Sequence, residues 1–112
     1  MKTRSVPINR IAHGRSGDKG NHANIAIIAN TPASYSWLKE HLTVPVVAQY
    51  FASMGASTIE RYVADNLFAL NFVLKDILAG GASQSLRIDT QGKTLGLTLL
   101  QLKMEIPENL LT

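Results

Sequence analysis

Residues 65–78 read DNLFALNFVLKDIL, and the fold turns on how that run is taken. Asp65 or Asn66 supplies a capping side chain ahead of an apolar segment. At helical spacing the apolar positions nearly encircle the segment and leave Asn71, Lys75 and Asp76 as a narrow polar stripe. This predicts a helix over 67–78, stopped by Gly80 and Gly81, and either deeply buried or shared with a partner.

The neighbouring segments punctuate more clearly. STIERYVA predicts a strand from Thr58 to Ala64. Thr31 followed by Pro32 is a helix start, a capping hydroxyl ahead of a proline in the first turn, with Tyr35, Leu38 and Leu42 on one side. Thr43 restarts the signal, placing Val46, Val47, Tyr50, Phe51 and Met54 on one helical face until Gly55. ANIAIIA, residues 23–29, is too apolar to alternate and predicts a central strand covered on both faces.

Towards the N-terminus, SVPINRIAH alternates through Val6, Ile8, Arg10 and Ala12, which predicts a half-buried strand with Pro7 near its start or on an edge. Towards the C-terminus, SLRID, a TQGK turn and TLGLTLLQLKMEI predict a hairpin. Its last strand slips in phase: Leu97 and Leu99 face one way, Leu100, Leu102 and Met104 the other. A bulge or a strand apolar on both sides accounts for the slip. Residues 107–112 read as a loose tail. The order strand, strand, helix pair, strand, helix, strand, strand predicts one α+β domain over 1–112, a sheet with helices on one face.

Composition narrows the function classes. With 46% hydrophobic and 17% charged residues, the 112-residue chain can bury a core. The absence of cysteine removes disulfides, thiolate nucleophiles and thiolate metal sites, and suits a reducing compartment. The net charge of +3 is scattered rather than gathered in a tract, and no strand carries an RNA-recognition pattern, so nucleic acid is not the expected partner. Neither a signal peptide nor a membrane-length apolar run is present, which predicts a soluble, cytoplasmic protein.

The chemistry-bearing residues concentrate in HGRSGDKGNH, 13–22. Gly14, Gly17 and Gly20 recur at intervals of three, which would let backbone N–H groups converge on an anion, with Arg15, Ser16 and Lys19 beside them. The segment is no phosphate-binding P-loop, and a strand rather than a helix comes after it. Asp18 is the nearby carboxylate, either paired with Arg15 or Lys19 or available as a general base. His13 and His22 flank it without metal-site spacing, so no metal and no cofactor are expected. Arg61 lies mid-strand among apolar residues, and Asn24, Asn66, Asn71, Arg87 and Asp89 could complete a polar patch. Taken singly, each also fits a cap, an ion pair or a solvated position.

HGRSGDKGNHANIAIIA, RYVADNLFALNFVL and GGASQSLRIDTQGKTLG together resemble the ferredoxin-like domain of the acyclic terpene utilisation (AtuA-like) family, in order from about His13 to Leu99. The string RSGDKGN with ALNFVL downstream is the specific part; Asn21 and His22 depart from the pattern. The resemblance implies a ferredoxin-like two-layer sandwich. It also implies a link to catabolism of branched or terpenoid acids carried as CoA thioesters. In that family the domain commonly ends a longer protein and also occurs as a short separate chain, the form this sequence resembles. The matching positions are Arg15, Ser16, Gly17, Asp18, Lys19, Gly20, Asn24, Arg61, Asn66, Asn71, Gly80, Gly81, Arg87 and Asp89. The expectation is a non-catalytic accessory domain that joins a large AtuA-like subunit or a second copy of itself. The alternative is an acyl-CoA or other anion-binding domain, with lyase-type chemistry, that uses residues 13–21.

Overall fold

The computed structural model describes residues 2–19, 22–52, 58–75 and 95–111, without the side chains of Asp18 and Lys19. Gly20, Asn21, Met54, Gly55, Gly80, Gly81, Arg87 and Asp89, with the SLRID strand and its turn, lie outside that description.

Strand β1 is Thr3–Pro7, and a 3-10 turn at Ile8–Arg10 separates it from β2, Ala12–Lys19. The long alternating strand expected here is therefore broken after Pro7. The turn buries both Ile8 and Ile11, whose N–H closes back on the Ile8 carbonyl, and Arg10 stays outside. β2 forms an antiparallel hairpin with β3, His22–Ala29, running from Ala12 opposite Ala29 to Lys19 opposite His22.

β3 does alternate. Ala23, Ile25, Ile27 and Ala29 are buried, whereas His22 and Asn24 are exposed and Ala26 and Ile28 half-buried, so one face is covered rather than two. Helix α1, Pro32–His41, begins as its sequence demands: the Thr31 hydroxyl accepts the Ser34 N–H at 3.1 Å, with Pro32 in the first turn. Helix α2, Val44–Tyr50, restarts after Thr43 and buries Val47, with Phe51 buried just beyond its end.

β4 is Thr58–Ala64, the expected strand to the residue. The helix expected after it does not form. Asp65–Leu67 make a 3-10 turn, Phe68 takes a left-handed conformation at φ 53°, and β5 runs over Ala69–Lys75. Leu70, Phe72 and Leu74 alternate into the core at 0–1% exposure, while Asn71, Val73 and Lys75 take the opposite face. An apolar run this dense carries both periodicities. Two flanking strands decide it, because β5 pairs with β3 on one side and β4 on the other.

The last predicted strand is corrected too. Leu95–Leu100 form a short helix, α3, and strand β6 is only Lys103–Pro107. The phase slip is a helical turn, not a bulge: Leu95, Leu99 and Leu100 are buried and Leu97 is exposed. β6 pairs with β1, joining the two ends of the chain in a two-stranded ribbon. Nor is the tail loose. Glu108–Leu110 form a 3-10 turn, the Glu108 N–H donates to the Lys2 carbonyl, and Leu110 and Leu111 pack on the core.

The main sheet has the order β2-β3-β5-β4, antiparallel throughout. β3 and β4 both run against β5 between them, so they are parallel to each other and joined through α1 and α2. That is the split βαβ unit of ferredoxin-like folds. α1 packs on β3, α2 on β4, and α3 on β2 and β3. The molecule is an α+β two-layer sandwich with one core between sheet and helices. No helix among the described residues is long and apolar enough to cross a membrane.

Candidate functional site

The glycine-rich segment is strand as far as Lys19, and this changes what its residues can do together. Gly14 and Gly17 are paired with Ile27 and Asn24, so neither bends a loop around an anion. Their want of a side chain serves close approach. A Cβ on Gly14 would lie 3.0 Å from the Ala26 carbonyl oxygen and 3.3 Å from the Ile27 side chain. One on Gly17 would lie 3.3 Å from Asn24 Oδ1. Gly96 on α3 supplies the third such contact, against the backbone of Arg15 and the Ser16 hydroxyl.

Strand alternation sorts the anion-binding candidates onto two faces. Ser16 lies opposite Ile25 and faces the helices, whereas Arg15, opposite Ala26, and Gly17, opposite Asn24, lie on the face away from them. Arg15 is exposed. Asp18 pairs with Ala23 through its backbone, and Lys19 with His22 at the end of the hairpin. His13 pairs with Ile28 and His22 with Lys19, six residues apart along β3, a separation of about 20 Å at the usual rise per residue. The two histidines therefore share no metal; His13 Nδ1 bonds Asn30 Oδ1 at 3.1 Å instead.

The polar patch is only partly assembled. Register carries Arg15 across Ala26 to Asn71 and on to Tyr62 in one row, with Gly17, Asn24, Val73 and Glu60 in the next. Asn24 and Asn71 line one hollow of about 310 Å³ with His22, Ala23 and Val73. The Asn71 Oδ1 is buried and has no hydrogen-bond partner. Asn66 is elsewhere, exposed in the turn after β4. Arg61 is on the helix side, where its Nη1 donates to the carbonyls of Lys39 at 2.8 Å and Leu42 at 3.0 Å. It closes the end of α1, a structural role, with carbonyls rather than the carboxylate of an ion pair.

Two clusters that the sequence did not single out flank this framework. At one edge of the open face, Glu60 accepts the Tyr62 hydroxyl at 2.6 Å and pairs with Lys75 at 3.1 Å. The tyrosine bond foremost, then the lysine, hold the Glu60 carboxyl below its ordinary range; the same carboxylate raises the Tyr62 phenol. On the helix side, the Tyr35 hydroxyl donates to Asp65 at 2.5 Å and Lys39 reaches the same oxygen at 2.9 Å. Burial, then this bond, push Tyr35 up to about 12, and Asp65 is lowered chiefly by the tyrosine and next by the lysine. Strand alternation alone puts Glu60 and Tyr62 on one face of β4, and only register, fixed by tertiary pairing, brings Lys75 to them.

A larger groove of about 600 Å³ lies between α1 and the β1–β6 ribbon, walled by Trp37, His41, Glu40 and Glu105. It shares no residue with the conspicuous motif. Phe68 and its neighbours stand apart from both concavities: Tyr62, Val63, Leu67 and Phe68 are four of the five exposed large hydrophobic residues among the described ones. The Phe68 ring leans on Tyr35 at 5.9 Å and its carbonyl accepts the Ala29 N–H at 2.8 Å, so the turn is anchored while its apolar surface faces outward.

The family model of the AtuA ferredoxin-like domain matches residues 6–105, from the end of β1 into β6. No curated protein and no solved structure matches the chain.

Proposed function

The chain belongs to the AtuA ferredoxin-like domain family, and from that membership we propose that it is an accessory domain of an AtuA-like system in the cytoplasm. Its pathway is the catabolism of branched or terpenoid acids carried as CoA thioesters, and its task is docking onto a large AtuA-like subunit rather than catalysis. The observation that carries this reading is the apolar turn after β4. Leu67 is 63% and Phe68 40% exposed there, beside exposed Val63 and Tyr62 on the edge strand. Exposed apolar side chains held on anchored backbone are the form that interaction sites take. It replaces the encircling helix and the two-faced last strand as the basis for a partner, since neither of those exists.

The test is sedimentation of the purified chain with a large AtuA-like subunit. A complex should form, and Leu67→Asp should weaken it at least tenfold while leaving the fold intact, because the residue is exposed. A chain that stays monomeric and ignores the large subunit refutes the reading.

A second reading rests on Arg15, exposed on the open sheet face beside Gly17 and opposite Ala26. Its guanidinium suits a phosphate or carboxylate of an acyl-CoA, with Lys19 ending the same strand. A thermal shift given by CoA and abolished by Arg15→Ala would support it; an unchanged shift in the variant would discard it.

A further inference from the structure

We propose that the hollow on the open sheet face is a binding subsite for the amide group of an uncharged small molecule, recognised by Asn71 and Asn24. Asn71 occupies the middle of β5, hydrogen-bonded through its backbone to strands on both sides, in a row where an apolar side chain would pack without cost. Its side-chain oxygen is nevertheless buried and receives no hydrogen bond. Folded proteins leave few buried polar atoms unpaired, and the exceptions concentrate at functional sites.

The neighbours in the row do not satisfy it. Ala26 on one side has no donor in its side chain, and the Tyr62 hydroxyl on the other is committed to Glu60. Asn24 is the diagonal neighbour across β3 and β5, and its carboxamide lines the same hollow. One carboxamide oxygen that needs a donor, with a second carboxamide able to donate, is the complement of a ligand amide: Asn71 accepts its N–H and Asn24 donates to its C=O.

The rest of the lining narrows the ligand. Ala23 and Val73 are apolar, His22 adds an imidazole at one end, and neither a carboxylate, a lysine nor an arginine lines the hollow among the described residues. Its volume of about 310 Å³ is at the small end of small-molecule sites. This inference goes beyond the docking reading and fails separately from it, since docking is decided by complex formation through the turn after β4.

The test is a two-dimensional 15N NMR titration of the full chain with pantetheine, which carries two secondary amides and no ionised group. Inorganic phosphate is the control. Saturable shifts of Asn24, Ala26, Asn71 and Val73 are expected with pantetheine and not with phosphate. Asn71→Leu should weaken the response at least tenfold and leave the melting temperature unchanged or higher, because an unpaired buried oxygen is removed. Should that variant fail to fold, Asn24→Ala at an exposed strand position provides the same readout, with binding several-fold weaker. Absence of a pantetheine response, the same shifts with phosphate, full binding by the variants, or a lowered melting temperature in folded Asn71→Leu each overturns the proposal.

Discussion

Arg61 sits in a strand among apolar neighbours because the last carbonyls of α1 lack partners within the helix, and its guanidinium reaches two carbonyls there. Arg61→Ala should cost about 1–2 kcal/mol in urea denaturation, with Arg61→Lys recovering part of it. Arg15→Ala, at an exposed strand position, should stay within about 0.5 kcal/mol. The sequence flagged Arg15 as an anion grip and Arg61 as an ion-pair or patch residue, and could not reach the carbonyl partners of Arg61, since burial and partner depend on what packs against each strand. Tyr35 makes a pH prediction. Unfolded tyrosine titrates near 10 and the folded residue near 12. Between those values the unfolded chain binds fewer protons, so stability falls as pH rises from about 10 to about 12. The lowered Asp65 works in the opposite direction: its contribution is full above the ordinary aspartate range and is lost as pH falls through the depressed folded value. Tyr35→Phe should therefore flatten the alkaline limb and, by removing the main donor to Asp65, the acid limb as well. Urea midpoints measured from pH 3 to 11.5 check both limbs.

Elements with local punctuation were legible and those without it were not. The start of α1 rests on Thr31 and Pro32, two adjacent residues that act on the first turn alone. Thr31→Ala should cost about 1 kcal/mol by thermal unfolding. β4 was legible in the same way, as a β-branched and aromatic run ahead of Asp65 and Asn66. β5 and α3 were not, because dense apolar runs satisfy both periods and the choice falls to whatever lies alongside. For β5 those are two strands offering ladder hydrogen bonds; for α3 they are the upper surfaces of β2 and β3. That second packing sets a steric limit. A Cβ on Gly96 would come within 3.2 Å of the Arg15 backbone and Ser16 Oγ, so Gly96→Ala should destabilise by about 1–3 kcal/mol despite alanine's higher helix propensity. A gain in melting temperature would contradict this packing.

Over the whole molecule the ribbon of β1 and β6 is tied into the same core as the main sheet. Val6, Ile8 and Ile106 belong to one buried cluster with Ile25, Phe72 and Leu99. Unfolding should therefore be a single transition: the fluorescence of Trp37, the sole tryptophan, and far-UV circular dichroism should give superimposable urea curves. An earlier fluorescence change would mean that the layers separate. By itself the sequence determined the α+β class, β4 and the α1 start, because these are set by side chains within a few residues of one another. It also brought Arg15, Asn24, Asn71 and Arg61 into view as residues out of place. Only the tertiary structure decided that the charged segment is a strand, that Arg61 serves a helix end, and that Asn24 meets Asn71. Faces and register arise when strands pair, and a pairing between residues nearly fifty positions apart leaves no trace in the local pattern of either.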